Sequence, residues 1–222
     1  MLANGQDVAA SDHKFLLENG LKLTYGQINA LSGDFYGTFD PISDGRDEED
    51  RSTRFKQAYS KLAVDRLRQP REATKILAVL QTEVDAINVA LENHQDPYVT
   101  YSKLPDVSQV LEDITGNRGS IPSYLGLALR NWDHFGADAR YVYNTGHAAA
   151  IRRAIDGDLE GAYAINAFAD HFLEDCFSAG HLRTPRRFLH RDNDKLADVC
   201  AKVRRMYPLP EKFTHTATTV YA

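Results

Sequence analysis

The sequence lacks the features that would assign it to several special classes of protein. It has only two cysteines, Cys176 and Cys200, in 222 residues, so no disulfide framework is available. No run of about 18 apolar residues occurs, which argues against a transmembrane helix. The first residues, MLANGQDVAASDHK, contain neither the basic nor the apolar segment of a secretory signal.

Positive charge is also scarce over the chain as a whole. Asp and Glu number 31 against 26 Lys and Arg, for a net charge of −5, so a protein-wide field that attracts nucleic acid is excluded. Basic residues concentrate late, between Arg183 and Arg205. Such a run is typical of a solvated helix face, and the alternative is a local attractor for phosphate beside an active site.

The spacing of apolar residues predicts an all-α fold. The strongest pattern runs from Arg71 to His94, where Ile76, Leu80 and Val84 fall on one helical face. Further helices are predicted at 53–68, 124–132, 146–155, 159–177 and 193–206, and an exposed acidic loop at 40–50. No alternating run predicts a substantial sheet. We expect one helical domain over residues 1–222, a length that can bury a sizeable core.

The stretch NAFADHFLEDCFSAGHLRTPRR, residues 166–187, carries the strongest functional signal. His171 and Asp175 are four residues apart, so they share one helical face. Gly180 is typical of a helix end and would let His181 turn back toward that face. Imidazole and carboxylate ligands without a thiolate suit catalytic zinc. The alternative is a polar stripe that simply faces water.

Two further groups are candidates. Asp133 and His134 follow the only tryptophan, Trp132, although an Asp-His dipeptide alone is more typical of a helix cap or a core histidine. His190 and Asp194 repeat the His-x3-Asp spacing in a polar, loop-like stretch.

Three segments together resemble a known family. FADHFLEDCFSAGHLRTPR, with NWDHFGADARYVYNTGHAAAI before it and LTYGQINALSGDFYG near the start, is similar to the bacterial zinc-dependent phospholipases C. These enzymes share a fold with the fungal zinc-dependent single-strand nucleases. The resemblance covers about residues 20–41 and 124–202. It implies a helical domain that holds two or three zinc ions.

The resemblance also implies the zinc ligands. Asp175 would bridge two zinc ions, and the upstream histidine would complete the first zinc site. His-x3-Asp is the spacing of the family's last site. The implied ligands are His134, His171, Asp175, His181, His190 and Asp194.

The chain departs from the family in several places. The family's N-terminal Trp, a zinc ligand, is absent, and Asp34 is our candidate replacement. The family's acidic base falls on Ser120, which leaves Asp34 or Asp133 as the catalytic acid–base residue. Arg183 and Arg186 are candidates to bind the substrate phosphate. The ligands expected after LADVCAK are missing, so we expect a truncated or altered C-terminus.

The expected function is phosphodiester hydrolysis by a phospholipase C that acts on glycerophospholipids at a membrane surface. One alternative is a single-strand nuclease or 3'-nucleotidase on the same fold, which would need a basic groove and aromatic stacking surfaces for nucleic acid. Another is a metal-free helical interaction module. No protein partner is predicted. Localisation stays open, because the family is exported but no signal is visible in the sequence.

Overall fold

The computed structural model describes residues 9, 11–66, 69–116 and 122–190. These residues are mainly helical, which confirms the all-α class. Their one sheet is an antiparallel hairpin of β1 (Lys14–Leu16) and β2 (Lys22–Thr24). None of their helices combines the length and the apolar character needed to span a bilayer. The predicted helix 193–206 and Asp194 lie outside the described residues.

The helices follow the hairpin in chain order. Two short 3₁₀ helices, Ile42–Asp44 and Asn131–His134, lie between them, and residues 186–190 are also helical. The α-helices are α1 (Tyr25–Leu31), α2 (Glu48–Ala63), α3 (Gln69–Glu92), α4 (Pro97–Tyr101), α5 (Ser108–Thr115), α6 (Tyr124–Ala128), α7 (Gly136–Ile155), α8 (Leu159–Asp175) and α9 (Ala179–Arg183).

The observed helix starts differ most from the prediction in α2 and α7. Helix α2 begins at Glu48, inside the predicted acidic loop, because the Asp47 side chain accepts a hydrogen bond from the backbone of Asp50 and so caps the helix. Helix α7 begins ten residues before the predicted start at Gly146. Its first half has few apolar side chains, so periodicity alone does not reveal it.

Close packing of α7 against α8 forms the centre of the fold. The two helices contact each other more extensively than any other pair, and their buried residues are mostly alanine and glycine. At Gly146 an added Cβ would lie 2.4 Å from the ring of Phe55 and 2.6 Å from Cβ of Ala169. Small residues therefore let α2, α7 and α8 approach closely, as tight helix packing requires.

This packing brings the candidate residues to one end of the helix pair. His134 lies just before α7, and His171 and Asp175 lie in the last turns of α8. The segment after α1 covers the same end, since the buried Ser32 hydroxyl donates a 2.6 Å hydrogen bond to the carbonyl of Phe168. Asp34 thereby reaches residues that lie a hundred or more positions later in the chain.

We expect Gly146→Ala to destabilise the protein by about 1–3 kcal/mol, because the new methyl group overlaps Phe55 and Ala169. Gly26→Ala, in α1, is the matched control. Its Cβ would meet nothing within 4 Å, so it should raise stability by about 0.5–1 kcal/mol through helix propensity. Urea unfolding of both variants measures the difference. Shifts of the same sign would contradict the packing argument.

Candidate metal centre

Asp34, His134 and His171 form a group that could hold a metal ion. Nε2 of His134 lies 3.9 Å from Oδ1 of Asp34, and Nε2 of His171 lies 3.8 Å from Oδ2 of Asp34. His134 is buried and His171 is nearly so, whereas the Asp34 side chain is half exposed. The group therefore has a buried imidazole side and an open carboxylate side.

The separations from Asp34 to the two histidines come close to the ligand spacing around a tetrahedral metal ion. Ligand atoms about 2.0–2.1 Å from a tetrahedral zinc lie roughly 3.3 Å from one another. The distances from Asp34 to the two histidines exceed that value by only about half an ångström. Two imidazoles and one carboxylate with an open position are the ligands of a catalytic rather than a structural zinc site. The three residues accordingly fit a metal ion.

The two carboxylate oxygens of Asp175 lie near different histidines. Its Oδ2 lies 2.7 Å from Nδ1 of His134 and 3.7 Å from Nε2 of His171. Its Oδ1 lies 3.6 Å from Nδ1 of His181. That His181 nitrogen is buried and has no hydrogen-bond partner among the described residues. A buried nitrogen of this kind is costly unless something binds it, so His181 could supply a further ligand atom beside Asp175.

Neighbouring groups fix the direction of the His171 ring. The backbone of Asn29 hydrogen-bonds to His171, and the Asn29 side chain donates a 3.0 Å hydrogen bond to Oε1 of Glu174. Metal-binding histidines commonly use such a partner for the second ring nitrogen. The role of Asn29 has no sequence signal.

Gly33 makes room for both imidazoles. Its φ of +66° lies in the left-handed region that glycine favours. An added Cβ would lie 2.6 Å from Cε1 of His134 and 3.1 Å from Cδ2 of His171. The residue before Asp34 must therefore be small and must adopt this turn for the carboxylate to face the histidines.

The pKa values of His134 and His171 are shifted in opposite directions. Burial lowers the pKa of His134, but the hydrogen bond with Asp175 and the charge of Asp34 outweigh it and raise the pKa above its ordinary value. Burial lowers the pKa of His171, and the charge of His134 lowers it further. The neutral form, which a metal ligand requires, is therefore favoured more in His171 than in His134.

Asp133 does not face this group as a proton acceptor. Its Oδ2 accepts a 2.6 Å hydrogen bond from the backbone of Ile42, and its Oδ1 accepts hydrogen bonds from the backbone and hydroxyl of Ser43. This buried carboxylate anchors the loop before α2 to the 3₁₀ helix that carries His134. The placement corrects the catalytic role expected for Asp133 and leaves Asp34 as the candidate.

The structure gives one of the two predicted phosphate ligands another role. Arg186 binds Asn131 Oδ1 at 2.8 Å and the carbonyl of Ala128 at 2.9 Å, so its guanidinium braces a turn instead of facing the metal group. Arg183 is exposed at the end of α9, and its phosphate role stays a prediction.

Of the two predicted ligands of the third metal site, only His190 lies among the described residues. The His190 ring packs edge-on against Trp132, with centroids 5.1 Å apart. Its partner Asp194 lies outside the described residues. Zinc binding by this pair therefore stays a prediction.

A cleft of about 620 Å³ opens beside the group and includes Asp34 and His171 in its wall. Phe35 and Tyr124 stack within it, with centroids 5.3 Å apart. Its acidic residues are Asp34, Glu83 and Asp106, and no lysine or arginine occurs among its described lining residues. The sequence did not reveal this cleft, because its walls come from α1, α3 and the 101–108 and 124 regions.

Comparison with protein-family models, curated proteins and solved structures finds no match.

We expect Gly33→Ala to weaken metal binding by about 10–100-fold, the usual effect of disturbing the support of metal ligands. Gly20→Ala is the matched control, because Gly20 also has a positive φ of +89° but its Cβ would meet nothing within 4 Å. Both variants carry the same kind of backbone strain, and only one displaces the histidines. Zinc titration with a competing chelator measures the affinities, and equal affinities would contradict the close approach at Gly33.

Proposed function

We propose that the protein is a zinc-dependent phosphodiester hydrolase that acts as a phospholipase C on glycerophospholipids. The observation that carries the proposal is the placement of Asp175. One of its oxygens faces His134 and His171, and the other faces the unpartnered nitrogen of His181. Asp175 thereby links two candidate metal positions, because its Oδ1 lies beside His181 while its Oδ2 orients the His134 imidazole through Nδ1. The sequence resemblance implies that the same residue lies between two zinc ions.

The residues divide between two metal positions. Asp34, His134 and His171 would hold one ion, and His181 with the second oxygen of Asp175 would hold the other. Zinc at these positions supplies a Lewis acid that makes water nucleophilic at neutral pH and offsets the charge of phosphoryl oxygens. Among the described residues, Asp34 combines a metal-ligand position with an exposed carboxylate in the cleft. It is placed to accept a proton from attacking water.

The lining of the cleft favours a phospholipid with a cationic head group. Carboxylates at Glu83 and Asp106 and the ring of Tyr124 attract a quaternary ammonium, by charge and by cation–π contact respectively. A polyanionic nucleic acid would instead need basic side chains along its path. The cleft therefore supports the phospholipase over the nuclease on the same fold.

The metal-free interaction module has less support. Such a module has no need to keep buried histidines and carboxylates converging on one point. Burying an uncompensated ionisable group costs several kcal/mol, so an unused site would tend to be replaced by apolar residues. The buried nitrogen of His181 also has no hydrogen-bond partner among the described residues.

We expect the purified protein to bind two zinc ions through the described residues, measured by mass spectrometry after reconstitution. His171→Ala should abolish the first position, and His181→Ala should remove one ion while the first position is retained. His147→Ala is the control, since this half-buried histidine hydrogen-bonds to Asn166 and lies outside the group. Both ligand variants should lose phosphatidylcholine hydrolysis by at least about 100-fold. A folded wild-type protein that binds no zinc in excess metal would overturn the proposal.

We expect Glu83→Gln to raise the KM for phosphatidylcholine by about three- to fivefold, because a partly exposed charge contact contributes up to about 1 kcal/mol. The kcat should stay unchanged, since Glu83 lies outside the metal group. Glu92→Gln, on the same helix but outside the cleft lining, is the control. Cleavage of single-stranded DNA in place of the lipid would favour the nuclease, and an unchanged KM would contradict the cationic head group.

A further inference from the structure

We propose that Arg187 is a positioning residue that holds His134 in the metal centre, an inference that rests on the proposed function for the importance of that centre. Arg187 lies in the helical segment 186–190 and does not contact the metal group itself. It acts through the two segments that flank His134 and through the loop that anchors Asp133.

The guanidinium of Arg187 contacts two segments by ion pairs and hydrogen bonds. It binds both carboxylate oxygens of Asp138, from Nη2 at 2.9 Å and from Nε at 3.1 Å. Its Nη1 pairs with Asp44, and its Nη2 also donates a 2.9 Å hydrogen bond to the hydroxyl of Ser43. The two-pronged contact with Asp138 depends on the planar fork of arginine, which lysine cannot reproduce.

The contact with Ser43 is transmitted to the residue before His134. The Ser43 hydroxyl accepts a hydrogen bond from Arg187, and it donates its own hydrogen bond to Oδ1 of Asp133, at 2.5 Å. The backbone of Ser43 donates to the same oxygen at 3.0 Å. Arg187 thereby orients the hydroxyl that fixes Asp133, and Asp133 is joined directly to His134.

Arg187 also contacts residues on both sides of His134 in the sequence. Its guanidinium carbon lies 5.3 Å from the ring centroid of Trp132, two residues before His134, and it binds Asp138, four residues after. One cation thus holds both ends of the short turn that presents the His134 ring to Asp175. This segment has no regular helix to fix it, because it forms only one 3₁₀ turn before α7 begins.

The first experiment reads the position of His134 without any metal. In the metal-free full chain, nuclear magnetic resonance should show a downfield Nδ1 proton for the His134 hydrogen bond to Asp175, assigned by its loss in His134→Gln. We expect Arg187→Lys to shift or broaden this signal. Arg153→Ala is the control, because Arg153 pairs with Asp158 at 2.6 Å at the opposite end of α7. An unchanged signal in Arg187→Lys would overturn the proposal whether or not the protein binds metal.

The second experiment measures the consequence for the metal. We expect Arg187→Lys to weaken cobalt binding by about 10–100-fold and to change the visible absorption of bound cobalt. Ser43→Ala, which keeps Arg187 but removes the transmitting hydroxyl, should change the same absorption to a smaller extent. Equal losses of cobalt affinity in Arg187→Lys and Arg153→Ala would show a general loss of stability and overturn the positioning role. Hydrolysis is not the readout, so failure of the proposed activity is recognised separately.

Discussion

The hydrogen bond between His134 and Asp175, 2.7 Å long, determines how this end of the molecule is arranged. Both residues are at least nine-tenths buried. A buried ionisable side chain without its partner costs several kcal/mol, so the turn before α7 and the last turn of α8 have to meet. The small residues between α7 and α8 make this meeting possible, because they bring the two backbones close enough for short side chains to touch.

Charge is distributed unevenly around this contact. The carboxylates of Asp34 and Asp175 face both histidines. They outweigh burial and raise the pKa of His134, whereas burial and the charge of His134 lower the pKa of His171. A proton on His134 would offset part of the negative charge. A divalent cation would do the same more completely, and its binding would release that proton. Folding and the proposed metal binding would therefore involve the same set of buried charges.

The sequence predicted local features of the fold and site more successfully than long-range ones. Helix α3 and the shared face of His171 and Asp175 follow from spacing within one helix, and α3 agrees with its prediction to within two residues at each end. The role of Asn29 could not be predicted, since it depends on a contact across more than a hundred residues. Nor could that of Arg186, which looks like a phosphate ligand by residue type but binds a backbone carbonyl. The spacing of residues is enough to predict a helix, whereas the binding partner of a charged side chain depends on tertiary contacts.

Arg187 connects segment 186–190 to the turn that carries His134, and this connection has a consequence for the order of folding. Synthesis proceeds from the amino end, and domains acquire structure as the chain emerges. Helices α1 to α8 can pack before Arg187 has left the ribosome, but the turn that carries His134 then lacks its brace. In the arrangement that we propose, the nascent chain would pass through a stage in which the core is formed but the turn of His134 is not yet held. A cation that binds the histidine cluster would then be captured only after segment 186–190 has been made.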